Sequence, residues 1–169
     1  MRKLFAALIL VLAAFAVVSL AAAGENKNFK AHLTGDDEVP PNASAGQGQA
    51  IFQLSEDGTA LEYRLVVANI ENVVASHIHL GAEGVNGPVV AFLFGPAAPG
   101  GGRTDGVLAT GTITAADLVG PLAGQPFSAL VDAMRAGNTY VNVHTNDGEG
   151  ASGTGPGDLP AGEIRGQIE

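Results

Sequence analysis

The chain has 169 residues, a formal net charge of −9 and no cysteine. Its length suits one domain, and its acidity argues against nucleic acid or an anionic membrane surface as partner, because both would repel it. Without cysteine there are no disulfides, so a hydrophobic core must hold the fold together unaided.

The N-terminus has the pattern of a secretory signal peptide. Arg2 and Lys3 precede an apolar run over residues 4–20, and three alanines follow at 21–23. Basic, apolar and small-residue regions in this order are typical of a cleaved signal, the alternative being an uncleaved N-terminal anchor. We therefore expect a signal peptide over residues 1–23 and one domain over 24–169. The domain is expected to be exported, either to the periplasm or outside the cell, with no stable membrane span after cleavage.

Beyond residue 24, apolar residues recur with the period of two that is typical of half-buried strands. Phe29, Ala31 and Leu33, for example, share one face of the first such segment. Asp57-Gly58 lies between the second and third segments and predicts a hairpin turn. The predicted strands are 29–34, 49–54, 61–67, 75–80, 89–94, 108–113, 140–145 and 163–168.

One segment has a helical period instead. Apolar residues at 127, 130, 131 and 134 fall at i, i+3, i+4 and i+7, and Gly137 follows as a C-terminal stop. This pattern predicts a short helix over residues 127–136. Seven or eight short strands with one crossover helix indicate an all-β fold, an antiparallel β-sandwich or a Greek-key barrel.

Four segments carry a family resemblance, and they span nearly all of the predicted domain. They are LTGDDEVPP at 33–41, SHIHLGAEGVNGPVV at 76–90, YVNVHT at 140–145 and PAGEIRGQI at 160–168. Together they resemble the CHRD (chordin-domain) family, in its stand-alone exported bacterial form. The resemblance implies an exported, non-enzymatic binding or structural module, because the family is seen as repeated modules in chordin, an extracellular antagonist of signalling ligands. Its partner would be an extracellular or periplasmic protein.

The His77-Ile78-His79 strand with its glycine-rich turn is also similar to the copper-binding region of copper/zinc superoxide dismutases, which have a sandwich fold. The expected sandwich or barrel is immunoglobulin-like or superoxide-dismutase-like, and this second resemblance implies the latter. A metal-dependent redox enzyme is the least favoured function, because His32 is the one remaining histidine and the disulfide of those dismutases cannot form here.

Three histidines form a candidate metal site. His77 and His79 point to one face of their strand, about 6.5–7 Å apart, and His144 shares the other segment's polar face with Asn142. If the two strands are neighbours or face one another, three imidazoles converge, and imidazole suits copper and zinc. The alternative is structural: the rings would hydrogen-bond one another, the Ser76 hydroxyl or backbone groups.

The remaining charged residues give weaker signals. The acidic stretches at 36–38 and 147–149, together with Asp158, are expected to be solvated loop acids rather than calcium ligands, because neither has EF-hand spacing. Arg165 is expected to form a surface ion pair with Glu62 or Glu163.

Overall fold

The computed structural model of the protein describes residues 26–169. The signal peptide predicted for residues 1–23 lies outside the described residues. The strands are β1 (Asn28–Thr34), β2 (Gln47–Leu54), β3 (Ala60–Glu71), β4 (Val73–Leu80), β5 (Val89–Phe94), β6 (Arg103–Thr114), β7 (Thr139–Thr145) and β8 (Ile164–Gln167). One α-helix, α1 (Ser128–Arg135), and two short 3-10 turns, Ala115–Asp117 and Gly120–Leu122, lie between β6 and β7. No helix among the described residues has the length and hydrophobicity needed to cross a bilayer.

All eight strands belong to one antiparallel sheet in the order β5-β4-β7-β8-β1-β2-β3-β6. Its two edge strands, β5 and β6, approach each other, so the sheet is nearly closed into a barrel. A side chain spans this seam: the Tyr63 hydroxyl on β3 donates a hydrogen bond of 2.7 Å to the Leu93 carbonyl on β5. The all-β antiparallel class predicted from the sequence is confirmed, in its barrel form.

The core follows from the alternation of apolar residues along each strand. In β2, residues alternate strictly between exposed and buried, with Ala50, Phe52 and Leu54 inside. Leu130 and Met134 of α1 join the same core, as the helical period predicted. The barrel interior is therefore filled by side chains, and polar chemistry is left to the outer face and the loops.

The strands extend furthest beyond the predicted segments in β3 and β6. β3 and β6 each have 12 residues, and their pairing contains two register shifts. Asn69 and Asn72, near the end of β3, have φ values of 55° and 54°, a region that asparagine tolerates better than most residues. These irregularities interrupt the period of two, which explains why it predicted shorter strands there.

Candidate metal centre

The candidate site lies on the outer, polar face of β4, β7 and β8. The inner face of these strands carries apolar residues such as Ile78 and Val141 and belongs to the core. Since side chains alternate between faces, the intervening polar residues all point outward. The register places His77 opposite Asn142 and His79 opposite Tyr140.

The three histidines converge as the sequence predicted. β4 and β7 are neighbours, so His144 of β7 lies beside the pair on β4. The ring centroid of His77 is 5.6 Å from that of His79 and 5.0 Å from that of His144, and the last two are 5.9 Å apart. One nitrogen from each ring lies within 4.8 Å of the other two.

Hydrogen bonds fix the roles of the ring nitrogens in two of the histidines. Nδ1 of His79 lies 2.9 Å from the Gly87 carbonyl oxygen, and Nδ1 of His144 lies 3.0 Å from that of Pro160. A carbonyl only accepts, so Nδ1 donates in both rings and Nε2 of the neutral ring carries a lone pair. Such second-nitrogen contacts are what orient metal-binding histidines.

The free nitrogens are buried without a protein partner. Nδ1 of His77, Nε2 of His79 and Nε2 of His144 make no hydrogen bond within the described part of the chain. The structural alternative predicted that backbone groups or the Ser76 hydroxyl would bind the rings. Backbone carbonyls do bind two of the rings, but the Ser76 hydroxyl donates to the Asn142 carbonyl at 2.8 Å instead. Buried polar atoms that lack a partner are unusual in folded proteins.

All three imidazoles are neutral at pH 7. Burial, followed by the neighbouring histidines, lowers the pKa of His77 to about 4. Burial and His79 lower the pKa of His144 to about 4, although its bond to Pro160 acts in the opposite direction. Burial also lowers the pKa of His79. Neutral rings are the form in which histidine ligates metals.

The size of the cluster is compatible with a single ion. If all three nitrogens were 4.8 Å apart, the centre of their triangle would lie about 2.8 Å from each. Metal–imidazole bonds are ~2.0–2.1 Å long, so each nitrogen would have to move inward by about 0.7 Å.

The His79 ring is also held by stacking on an aromatic side chain. The Tyr140 ring lies parallel to the His79 ring, with centroids 4.8 Å apart and an interplanar angle of 13°. The Tyr140 hydroxyl accepts a hydrogen bond of 3.0 Å from the Gly87 backbone nitrogen. Tyr140 and Gly87 together hold this imidazole in place.

The prediction of a surface ion pair for Arg165 is wrong. Arg165 is only 1% exposed, and its guanidinium carbon lies 3.5 Å from the centre of the Tyr140 ring. It donates to the Asn86 side-chain oxygen and to the carbonyls of Ala82 and Val85 at 3.0–3.2 Å. Arg165 therefore holds the 81–88 loop, which supplies the Gly87 carbonyl to His79, against β8.

Glu38 and Asp158 are buried rather than solvated, which corrects the prediction for two of the loop acids. Glu38 is 5% exposed and accepts a hydrogen bond of 3.3 Å from the Asn142 side-chain nitrogen. Burial raises the pKa of Glu38 to about 7, against smaller opposing effects of Asn142 and Arg165. Asp158 accepts from the Thr154 hydroxyl at 2.9 Å.

Glu163 fixes the long loop after β7. Its carboxylate accepts hydrogen bonds from the Ser44 hydroxyl at 2.6 Å, the Thr145 hydroxyl at 2.5 Å and the Gly157 backbone nitrogen at 2.7 Å. These bonds tie three segments together just beside Pro160, the partner of His144. Glu163 was predicted as a surface partner of Arg165, but it is buried and pairs with these three groups instead.

The fold and this face together define an all-β barrel domain with a three-histidine cluster on its outer surface. The family model for the CHRD domain matches residues 29–153, and the chain belongs to this family. The match includes all three histidines of the cluster and ends before β8. No curated protein sequence and no solved structure matches the chain.

Proposed function

We propose that this CHRD module is an exported, non-enzymatic protein that binds one copper or zinc ion through His77, His79 and His144. Two observations carry the proposal: each of the three rings has a buried nitrogen without a partner, and one nitrogen of each ring lies within 4.8 Å of one nitrogen of the other two. Leaving a buried polar atom without a partner costs about 1–3 kcal/mol. An ion bound to all three nitrogens would remove that cost three times.

Export and the absence of catalysis have separate support. Export rests on the signal-like sequence of residues 1–23. A binding role rather than an enzymatic one agrees with the CHRD family, whose members are in general non-enzymatic. His32, the fourth histidine, is exposed on β1 and is not part of the cluster, so a redox centre with a further histidine ligand has little support.

Thermal unfolding with and without metal tests the proposal. Zn²⁺ or Cu²⁺ should stabilise the purified protein by about 2.7 kcal/mol when the free ion is at 100 times its Kd. His77→Ala should abolish this stabilisation, because it removes one of the three donors. His32→Ala is the matched control and should keep it. Equal stabilisation of the His77→Ala and His32→Ala proteins would disprove the site.

A second function is an extracellular interaction module whose histidine cluster is structural. The hydrogen bonds to Gly87 and Pro160 and the stack on Tyr140 favour it, because they hold two of the rings in place without an ion. The same titration separates the two functions. If neither ion stabilises this protein and it does bind a partner, the three histidines have a structural role only.

A further inference from the structure

We infer that the three-histidine site prefers singly charged Cu⁺ to the divalent ions Cu²⁺ and Zn²⁺. The inference rests on the proposed function and concerns which ion the site selects. It follows from the charge of the ligands, because the cluster offers three neutral nitrogens and no anion.

The ligand set has no negative charge of its own. Among residues 26–169, the cluster contains three histidines and no carboxylate, and the whole chain has no cysteine thiolate. The second nitrogens of His79 and His144 donate to backbone carbonyls, which are neutral and keep each ring protonated at Nδ1. The complex would therefore carry the full charge of the ion.

The residues around the cluster also favour a singly charged ion. The Arg165 cation lies over the Tyr140 ring, and His79 stacks on the same ring, so a positive charge is already close to the cluster. Glu38 also lies near this face, but its carboxyl contacts Asn142 and is not part of the histidine cluster. No acidic side chain in the described chain joins the cluster to offset a second positive charge.

Ion charge and coordination number both then favour Cu⁺. The cost of moving an ion out of water rises with the square of its charge, so a divalent ion costs about four times as much as a monovalent ion of equal size. Zn²⁺ in proteins is almost always four-coordinate and would need a fourth ligand from solvent. Cu⁺ is stable with three neutral nitrogen ligands.

Phe92 offers a position at which this charge argument can be tested. It lies on edge strand β5 opposite His77, with the two ring centroids 4.7 Å apart, and it is 50% exposed. Phe92→Glu would place a carboxylate beside the cluster, and Phe92→Gln would place a neutral side chain of the same shape there. Both changes are at a half-exposed site, so both proteins should fold, which circular dichroism would check.

The experiment measures Kd for each metal ion alone, by competition with chromophoric chelators. Cu⁺ is measured without oxygen and in the presence of ascorbate, and Zn²⁺ and Cu²⁺ are measured in air. The wild-type protein should bind Cu⁺ at least about 100-fold more tightly than Zn²⁺, and more tightly than Cu²⁺. Phe92→Glu should tighten Zn²⁺ binding about tenfold relative to Phe92→Gln, with a smaller change for Cu⁺.

Two results would overturn the inference in different ways. Zn²⁺ or Cu²⁺ binding as tight as Cu⁺ binding, and lost in His77→Ala, would refute the charge preference and leave the proposed metal site intact. Equal binding of every ion by the wild-type and His77→Ala proteins would refute the site itself, and the inference with it.

Discussion

Replacing Glu38 by glutamine should make the protein more stable at pH 8 and leave its stability unchanged at pH 4. The carboxyl is buried, and its Oε1 has no hydrogen-bond partner, nor has Oδ1 of the adjacent Asn142. Both atoms lie within 2.7 Å of the point where a Cβ on Gly162 would stand. A protonated Glu38 can donate to Asn142, and so can the amide of a glutamine, whereas the carboxylate cannot.

The size of the effect follows from the pKa. Folding raises the pKa of Glu38 from 4.5 to about 7, and each pKa unit corresponds to 1.36 kcal/mol. The folded state favours the protonated acid, so the contribution of Glu38 to stability is complete below pH 4.5 and is lost as the pH rises through 7. Because glutamine does not titrate, Glu38→Gln should be more stable than the wild type by up to about 3 kcal/mol at pH 8.

Urea unfolding of both proteins at pH 4, 6 and 8 provides the measurement. The lowered pKa values of His77 and His144 make the wild type gain stability over part of the same range, and the difference between the two proteins removes that common trend. Glu83→Gln removes an exposed acid and is the control for net charge. A difference between Glu38→Gln and wild type that is constant with pH, or that grows towards acid, would refute this reasoning.

Three further predictions concern the cluster and its support. His77→Gln should reduce the loss of melting temperature between pH 6.5 and 4, because the wild type must protonate a ring whose folded pKa is about 4; an unchanged pH profile would argue against its burial. Tyr63→Phe should lower the free energy of unfolding by about 1 kcal/mol, through loss of the bond to Leu93, with metal affinity unchanged. Arg165→Met should destabilise the protein to urea by at least about 2 kcal/mol, because it removes three hydrogen bonds between a buried cation and the 81–88 loop; wild-type stability would contradict this role of Arg165.

The sequence predicted the fold class and the histidine cluster for a common reason. Both depend on the period of two, which assigns each strand residue to a face without any knowledge of long-range contacts. The convergence of His144 with His77 and His79 also required β4 and β7 to be neighbours or to face one another. The sequence could not show whether the two strands meet, and the structure shows that β4 and β7 are adjacent in the sheet.

The surroundings of the cluster could not be predicted in the same way. Alternation places Arg165 on the polar face of β8, but its burial depends on the 81–88 loop folding over it. The same holds for Glu38, whose hydrogen-bond partner Asn142 is 104 residues away in the sequence. Local pattern therefore predicts which way a side chain points, and loop packing decides whether water reaches it.

The seam between β5 and β6 is where we expect the barrel to begin to unfold. Among residues 26–169, no backbone pairing joins β5 to β6, whereas every other pair of neighbouring strands is paired. The Tyr63 hydroxyl of β3 bonds to the Leu93 carbonyl of β5 across this gap. β7, in contrast, is hydrogen-bonded to a strand on each side. Amide hydrogens at the free edges of β5 and β6 should thus exchange with deuterium well before those of β7, and the barrel should begin to unfold on the side bordered by Phe92 while His144 is still held in place.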